Sequence, residues 1–512
     1  MKAKILESLA RRKRRIQKRL DKSDLSGCDQ PMITASNIQY EVAERTSAVS
    51  AGGIGAIHQI VKHLELDAMI NEDLHLLKVH LPYHESDHVL SIAYNILAGG
   101  TRLEHLETLR NDEVFLDALG ARRIPDPTTA GDFCRRFTKW TTFLLQETFN
   151  KARLKVWRKQ PYDFFEEAVI DGDGTMVQTC GECKQGMDIN FKGEWGYHPL
   201  IISLANTGEP LYIVNRSGNR PSHENAAVYF DRAVSLCRDA GFRRILLRGD
   251  TDFSQTKHLD GWNADGVQFI FGMDASEALV SRAEKLPKSA WKKLNRRPRY
   301  EVKTQPRQRP ENVKEQIVQE REFENIRLKG ESVAEFRYQP VACQEEYRII
   351  VVRKDLEISR GQQVLFEHKQ RYFFYITNDW DRIPQAVVEK ANERCNQENT
   401  IEQNKNGVPA LKAPVDSLES NGAYMVMASL AWSLKAWAAL LLPEEGRWKE
   451  KHAQEKRTLL RMEFATFRRV FMNIPAQIIR TSRRIVFRLL SWNPWQPVFF
   501  RLLDQLQRPL RC

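Results

Sequence analysis

Apolar side chains recur at helical spacing through the first part of the chain. In residues 52–70 and 88–100 they stand three and four positions apart, which predicts amphipathic helices. A basic amphipathic stretch at residues 1–20 precedes them. We therefore expect residues 1–155 to form a helical N-terminal region.

From residue 165 the pattern changes to short apolar or alternating runs that end in turn residues, which is typical of strands. Helical spacing returns at residues 224–241. Three strands close together, then a helix and a strand, predict an antiparallel hairpin extended by a parallel strand in an α/β core. The predicted strands are "EEAVIDGDGTMVQ", "HPLIISLA", "EPLYIVNRSG", "RRILLRGD" and "VQFIFGMD".

The core is expected to occupy residues 160–280 and 371–442, with a β-rich insertion at 281–370 between the two parts. Within the insertion, "AEFRYQPV", "EYRIIVVRK" and "QVLFEHK" have the composition of strands, and "RYFFYITN" resumes the core pattern. Beyond residue 440 we expect helices to the end, so that residues 443–512 form a basic helical C-terminal region.

One apolar run, residues 423–442, is long enough to span a bilayer. It contains Lys435, and a charge in mid-span costs ~2.5–3.5 kcal/mol on insertion scales, so we expect a buried core helix and no membrane association. Residues 1–20 lack the apolar block of a signal peptide. Eight cysteines at no framework spacing indicate a reducing compartment, and the single CxxC of Cys180 and Cys183 has no second pair to complete a zinc site.

Positive charge is concentrated at the two ends of the chain. The formal net charge is +12, of which residues 1–20 contribute +8 and residues 456–512 contribute +10, so the stretch between them is mildly acidic. This distribution suits a protein that binds DNA or RNA at its flanks and keeps carboxylates for another purpose in the middle. The alternative is that these charges only solvate surface helices.

A third basic segment favours the first interpretation. Residues 282–309 contain eleven Lys and Arg against two Glu, with Trp291 and Tyr300 among them. Basic side chains mixed with aromatic rings suit a surface that binds phosphates and stacks bases, although they also suit an exposed loop. The candidate DNA contacts in this segment are Lys292, Lys293, Arg296 and Arg297.

A proline-rich turn at residues 125–137 leads into a short helix. Thr128 and Thr129 are both candidate caps of this helix, which carries Arg135 and Arg136. These arginines are candidate DNA contacts or members of an ordinary capped surface helix.

Carboxylates lie at the ends of two predicted core strands. Asp171 and Asp173 are two residues apart, so both side chains point to one face of their strand. Asp250 ends the strand of "RILLRGD", and Asp252 falls beyond the strand end. A carboxylate on an apolar strand is costly to bury unless positive charge meets it.

A third carboxylate lies in "RCNQENTIEQNKNG", residues 394–407. At ~100° per residue, Arg394, Glu398 and Lys405 fall at about 0°, 40° and 20° around a helix, so all three share one face. Arg394 and Glu398 alone would be read as an ordinary surface pair. Together with the two strands, they predict carboxylates that converge on Mg²⁺, with Arg394 and Lys405 holding phosphates nearby.

These motifs resemble those of the DDE transposases of bacterial insertion sequences. The pattern R-x-x-x-E-x-x-x-x-x-x-K is similar to their Y-R-E-K signature, and its surroundings are most similar to the thirteen-eighty insertion-sequence family. "DGDGT", "KGEWGYHPLI", "LLRGDTDF" and "FYITN" resemble the other core motifs in the same order. The resemblance covers residues 130–440 well and the ends loosely.

The resemblance implies a ribonuclease H-like mixed sheet flanked by helices and interrupted by the β-rich insertion. It implies that Asp173, Asp250 and Glu398 are the catalytic residues and hold two Mg²⁺ ions, or Mn²⁺ in their place. The implied activity is metal-dependent DNA cleavage and strand transfer in cut-and-paste transposition. The implied partners are the terminal inverted repeats of the element, target DNA and a second copy of the chain, in the nucleoid of the bacterial cytoplasm.

The chain departs from the signature at two places. The signature tyrosine would stand three residues before Arg394, where this chain has Ala391. Asp252 occupies a position where the family usually has a small residue, which leaves Asp250 and Asp252 as alternatives, with strand position favouring Asp250. Asp171 competes with Asp173, which precedes the Gly-Thr pair.

Two other functions fit part of the sequence. "VIDGDGTMV" also resembles the nucleophile loop of haloacid-dehalogenase-type phosphatases, in which Asp171 would attack phosphorus and Asp173 would act as acid and base. Ser254 stands where that family needs a further acidic residue, and the 394–405 helix would have no role. A DNA-binding protein without catalysis would explain the charge but not the carboxylates on apolar strands.

Overall fold

The computed structural model describes residues 3–20, 39, 46–80, 82–179, 181, 184–296, 316–317, 321, 324–360, 363–481 and 484–508. Arg297, Tyr300, Cys180 and Cys183 lie outside the described residues. The predictions made for these four residues therefore stay predictions.

Helices make up most of the N-terminal region, as the apolar spacing predicts. Those before the sheet are α1 (Ala3–Leu20), α2 (Ile54–His63), α3 (Leu66–Asp73), α4 (Glu85–Ala98), α5 (Leu106–Arg110), α6 (Glu113–Leu119), α7 (Pro127–Arg135) and α8 (Lys139–Trp157). Those that follow are α9 (Ala226–Ala240), α10 (Leu259–Ala264), α11 (Glu277–Glu284), α12 (Pro384–Asn392), α13 (Cys395–Glu402), α14 (Leu418–Leu440), α15 (Lys449–Arg461), α16 (Phe464–Phe467) and α17 (Gln496–Leu506).

The described strands form three sheets. They are β1 (Ala48–Val49), β2 (Glu167–Gly174), β3 (Val177–Gln178), β4 (Asp188–Ile189), β5 (Trp195–Tyr197), β6 (Leu200–Leu204), β7 (Glu209–Val214), β8 (Arg244–Gly249), β9 (Gln268–Met273), β10 (Lys292–Lys293), β11 (Glu324–Tyr338), β12 (Tyr347–Arg360), β13 (Gln363–Thr377), β14 (Ala476–Arg480) and β15 (Ile485–Leu489). The largest sheet has nine strands in the order β10-β11-β12-β13-β9-β8-β2-β6-β7.

The central strands confirm the predicted hairpin and its parallel extension. β2 pairs antiparallel with β6, and β6 pairs antiparallel with β7. On its other side β2 pairs in parallel with β8, which pairs in parallel with β9. Helix α9 joins β7 to β8 and packs against β2. The chain is therefore a mixed α/β protein, and β2 and β8 end at the same edge of the sheet.

The strands predicted between residues 324 and 377 extend this same sheet. β11, β12 and β13 pair antiparallel over most of their length, and β13 joins the core through β9. Strand β10 pairs antiparallel with β11 at the outer edge. This part of the chain therefore reaches the core by strand pairing.

Helix α14 lies in the interior of the protein. Among the described residues it is the one helix long and apolar enough to cross a membrane, and its apolar window is entirely buried. The buried core helix predicted from Lys435 is confirmed. The Lys435 ammonium donates to the Leu460 carbonyl at 2.9 Å and lies 3.9 Å from the centre of the Trp432 ring.

Two local predictions are wrong. Residues beyond 440 are not helical to the end, because β14 and β15 form a hairpin that pairs with β1. Ala476 and Ile478 alternate inward from β14, which favours a strand over a helix. The cap of α7 is Asp126, not Thr128 or Thr129, because the Asp126 carboxylate accepts from the Thr129 amide at 2.9 Å.

The two basic ends of the chain meet in the folded protein. The Arg12 guanidinium of α1 donates to the carbonyls of Leu489 at 2.9 Å and Ser491 at 2.8 Å. The Lys13 ammonium lies 5.7 Å from the centre of the Trp492 ring. Positive charge from both termini is therefore gathered on one part of the molecule.

A buried carboxylate ties the helical region to the sheet. Glu209, at the start of β7, is fully buried and accepts from Arg153 Nε at 3.0 Å and Trp437 Nε1 at 2.8 Å. Its other oxygen accepts from Trp157 Nε1 at 3.1 Å. These bonds connect α8 and α14 to β7, and each satisfies a polar atom that water cannot reach.

Replacing Glu209 by Ala should lower the free energy of unfolding by about 3–5 kcal/mol, because it leaves the Arg153 charge buried without its partner. The measurement is urea unfolding followed by tryptophan fluorescence. Asp117→Ala is the matched control, since it removes an exposed ion pair to Arg480 that should contribute less than about 1 kcal/mol. Equal effects of the two substitutions would contradict this account.

Candidate active site

Asp171 is a structural residue of the sheet. It is fully buried, and the Arg248 guanidinium donates to its two oxygens from Nε at 2.7 Å and Nη2 at 2.8 Å. Arg248 stands opposite Asp171 in the parallel pairing of β2 and β8, and its Nη1 also donates to the Lys390 carbonyl at 2.7 Å. Because both carboxylate oxygens are occupied and shielded, Asp171 cannot attack a phosphorus. The phosphatase alternative therefore lacks its nucleophile.

Asp173 lies near the end of β2, at the edge of the sheet. Its Oδ1 accepts from the Gly174 amide at 2.8 Å, and its Oδ2 faces the Arg394 guanidinium at 3.3 Å. Burial raises the pKa of Asp173 to about 6, and the positive charge of Arg394 opposes that shift. The carboxylates of Asp250 and Glu398 are near enough to add to this shift.

Asp250 follows β8 and points to the same guanidinium. Its Oδ2 lies 3.8 Å from Arg394 Nη1, and its other oxygen accepts from the Asp252 amide at 3.0 Å. Burial raises the pKa of Asp250, Arg394 opposes the shift, and Asp252 and Asp274 add to it. Asp252 is exposed in the turn after the strand. One arginine thus bridges the two aspartates favoured by the sequence.

Helix α13 brings Glu398 to the same edge. The neighbouring Gln397 is buried, where its side chain hydrogen-bonds the Ser203 hydroxyl and donates to the Ile201 carbonyl at 3.2 Å. These contacts attach α13 to β6 and leave Glu398 exposed. Glu398 lines a cleft of about 410 Å³ together with Asp250 and Arg394. The structure therefore places Asp250, Glu398 and Arg394 on one cleft, and Asp173 against the same arginine.

The helix containing Lys405 does not continue with regular α geometry. Residues 403–407 form a π turn, so the predicted angle of Lys405 relative to Arg394 and Glu398 is wrong. Lys405 nevertheless stays near the site. Burial lowers its pKa, and the negative charges of Glu402, Glu194 and Asp173 oppose that shift. In the described part of the chain, the Lys405 ammonium makes no ion pair within 4.0 Å.

The other candidate DNA contacts differ in whether a carboxylate of the protein already pairs with them. Arg135 pairs with Asp132 at 2.7 Å and Asp416 at 3.1 Å, and Arg296 forms a fork with the Glu331 carboxylate at 2.5 and 2.9 Å. These two arginines therefore stabilise the protein itself. The remaining candidates are exposed: Arg136, whose one described contact is the Leu76 carbonyl at 3.4 Å, and Lys292 and Lys293 on edge strand β10.

Sequence reasoning missed two features of the site. Asp274 follows β9, lines the cleft and raises the pKa of Asp250. Its position directly after a third parallel strand is the sequence feature that could have identified it. His198 lies against Gly174, where an added Cβ would stand 2.5 Å from its Cε1. Burial lowers the pKa of His198 to about 4, with the charges of Arg216 and Lys405 in the same direction, so the ring is neutral near pH 7.

Two tyrosines of β13 line the same cleft as Ala391, the position at which the signature has its tyrosine. Ala391 lines the cleft, and so do Tyr372 and Tyr375. The Tyr372 hydroxyl donates to Gln370 at 2.7 Å. A phenol group is thus present at the cleft, supplied by another element.

The donor set fits a hard divalent cation in its chemistry. Asp173, Asp250 and Glu398 provide carboxylate oxygens, which are the ligands that Mg²⁺ and Mn²⁺ prefer. Burial, with a smaller effect of the Asp250 and Glu398 charges, raises the pKa of Asp173 despite the nearby Arg394. Across the residues that the structure describes, no three acidic, His or Cys side chains stand close enough to enclose an ion. The guanidinium of Arg394 provides the positive charge between the two aspartates.

The comparison with protein families identifies the family of this chain. The family described as "Transposase DDE domain group 1" matches residues 32–510. The chain belongs to this family of DDE transposases. The family implies polynucleotidyl transferase or nuclease activity on DNA.

No curated protein matches the sequence of this DDE transposase. Among solved structures, it is similar to a chain of the "Cryo-EM structure of piggyBac transposase synaptic complex with hairpin DNA (SNHP)", with 11% identity and a TM-score of 0.32, covering 82% of this chain and 81% of that one.

Replacing Asp173 by Asn should stabilise the metal-free protein at pH 7.5 by about 1–3 kcal/mol, because it removes a carboxylate whose pKa folding raises. A raised pKa means that the folded state binds the proton more tightly. The charged Asp173 therefore lowers the free energy of unfolding above pH 6, and this loss shrinks as the pH falls toward 4. The measurement is urea unfolding in EDTA across this range.

The matched control for this substitution is Asp381→Asn, which neutralises an exposed aspartate outside the cleft. Its effect should be small and nearly independent of pH. If Asp173→Asn destabilised the protein at pH 7.5, or its gain did not change with pH, the proposed crowding of negative charge would be wrong.

Proposed function

We propose that this DDE transposase cuts and joins DNA strands in a metal-dependent reaction, and so carries out cut-and-paste transposition of an insertion sequence. The observation that carries the proposal is that Arg394 lies against both Asp173 and Asp250, while Asp250 and Glu398 line one cleft. Three separate parts of the chain thus bring carboxylates near one arginine. The β7-β6-β2-β8-β9 order supports a ribonuclease H-like core, in which ligands bind beyond the carboxyl ends of the parallel strands.

Asp173, Asp250 and Glu398 would hold two Mg²⁺ ions, or Mn²⁺ in their place. When bound, such ions activate a water or a 3′-hydroxyl on one side of a phosphorus and stabilise the leaving oxygen on the other. Asp173 must lose its proton to act as a ligand, and Arg394 favours that loss. Gln397 fixes the helix that carries Glu398, and Asp171 with Arg248 fixes the strands beneath.

The cations near the site are suited to DNA phosphates. Lys405 makes no ion pair with a described side chain and lies close enough to Asp173 for their charges to interact. The exposed Lys292, Lys293 and Arg136, and the basic ends joined at α1 and β15, provide further positive surface. We propose that these surfaces bind the terminal inverted repeats of the element and the target DNA. Binding should then weaken steeply with salt.

Several finer parts of the proposal rest on the signature around Arg394, Glu398 and Lys405. It supports assignment to the Y-R-E-K branch and to the thirteen-eighty insertion-sequence family. Two element ends must be processed together, so we propose a homodimer on DNA. The setting would be the nucleoid of a bacterial cytoplasm.

Replacing Glu398 by Gln should reduce DNA cleavage at least about 100-fold while duplex binding stays within twofold, because an amide is a poor ligand for a divalent ion. The measurement is nicking or joining of a labelled duplex in Mg²⁺, with binding measured by gel shift in EDTA. Glu402→Gln is the matched control, since Glu402 is exposed on the same helix outside the cleft, where it accepts from Asn406 at 2.6 Å.

Normal cleavage by the Glu398 variant would remove that residue from the reaction. Wild-type protein that binds duplex DNA but never cuts it in Mg²⁺ or Mn²⁺ would instead favour the second candidate, a DNA-binding protein without catalysis.

A further inference from the structure

The β4–β5 hairpin, residues 188–197, displays aromatic side chains to solvent. Phe191 at its tip is 94% exposed, and Trp195 at the start of β5 is 51% exposed. Ile189 of β4 is exposed beside them. Ordinary surfaces leave large apolar side chains exposed singly, whereas a group of them marks a contact surface.

The hairpin holds these rings in fixed positions. The Asn190 side chain accepts from the amides of Lys192 at 2.9 Å and Glu194 at 3.0 Å, which closes the turn. The Glu194 carboxylate accepts from Gln178 at 2.7 Å and from Asn190 at 2.8 Å. Gly196 packs so closely that an added Cβ would lie 2.1 Å from the Val177 carbonyl oxygen. The exposure of Phe191 and Trp195 is therefore a built feature of the fold.

The hairpin leads into β6, which pairs with the strand that carries Asp173. Strand β5 runs through His198 into β6, and His198 lies against Gly174, the neighbour of Asp173. The negative charges of Glu194 and Asp173 both favour the charged form of Lys405 and so oppose the lowering of its pKa by burial. The Lys192 ammonium lies 5.5 Å from the centre of the Phe191 ring. The segment that leads to the Asp173 strand thus carries two aromatic rings and Lys192, and Lys405 is near enough to interact with its Glu194.

This combination matches an unpaired nucleotide. Every base offers a flat face that stacks on an aromatic ring, and its phosphate is attracted by nearby lysines. A paired duplex keeps those faces covered, so exposed rings gain a partner only where the strands separate. We propose that Phe191 and Trp195 stack an unpaired base of the DNA strand next to the cleavage site, with Lys192 and Lys405 at its phosphates.

This inference rests on the proposed function, because it takes DNA as the substrate. Its test compares binding of two labelled 30-base-pair duplexes in EDTA, one fully paired and one with two adjacent mismatches at its centre. Wild type should prefer the mismatched duplex by about tenfold, in the range expected for one stacked base. The double variant Phe191→Ala and Trp195→Ala should lose that preference while binding the paired duplex within twofold of wild type.

Two further variants make the test specific. Phe191→Tyr should keep the preference, because it keeps an aromatic face. Trp448→Ala removes a ring of similar exposure, 55%, from a part of the chain outside the hairpin and the cleft, and should also keep it. Circular dichroism of the double variant, unchanged from wild type, would exclude misfolding.

The inference is overturned if wild type shows no preference, or if the double variant keeps it. It is also overturned if the double substitution dissociates a dimer seen by light scattering without changing the preference, because the rings would then contact a second copy of the chain. The proposed function fails separately, if wild type neither binds the duplexes nor cuts them in Mg²⁺.

Discussion

The site depends on one electrostatic constraint, which is that carboxylates gathered in a partly buried cleft repel one another. Arg394 offsets part of that repulsion, because its guanidinium lies 3.3 Å from Asp173 and 3.8 Å from Asp250. Burial of Asp173 outweighs this attraction and, together with the charges of Asp250 and Glu398, raises its pKa to about 6. A fold that maintains such crowding forgoes stability at this edge of the sheet, which is expected where charge serves a reaction.

The surrounding structure supplies the rigidity that the crowded charges need. Asp171 and Arg248 lock β2 to β8 through a fully buried fork, so that the strand ends carrying Asp173 and Asp250 keep their spacing. Gln397 attaches helix α13 to β6 and so fixes Glu398. Asp171 thus serves as a scaffold, whereas its near neighbour Asp173 lies at the sheet edge, where we propose that it takes part in the chemistry.

Much of this arrangement is readable from the sequence, because strand alternation and helical spacing are local properties. The order of the core strands follows from such patterns, which also mark Asp171, Asp173, Asp250 and Glu398 as candidates. The choice of Asp173, Asp250 and Glu398 among them rests on the resemblance to DDE transposases. What the sequence did not show depends on contacts between distant residues. The pairing of Asp171 with Arg248 is set by strand register, Arg135 meets Asp416, and Arg296 meets Glu331. The π turn at Lys405 occurs where Gln403 accepts from the Phe464 amide at 2.9 Å.

The central claim is that Asp173, Asp250 and Glu398 hold divalent cations together, and direct titration with Mn²⁺ tests it without any reaction. Calorimetry and the loss of the free-ion electron paramagnetic resonance signal should show binding to wild type. Asp173→Asn, Asp250→Asn and Glu398→Gln should each weaken it about tenfold or more, because each removes an oxygen ligand. Glu402→Gln should leave it unchanged. Equal affinity in all four variants and wild type would contradict the account.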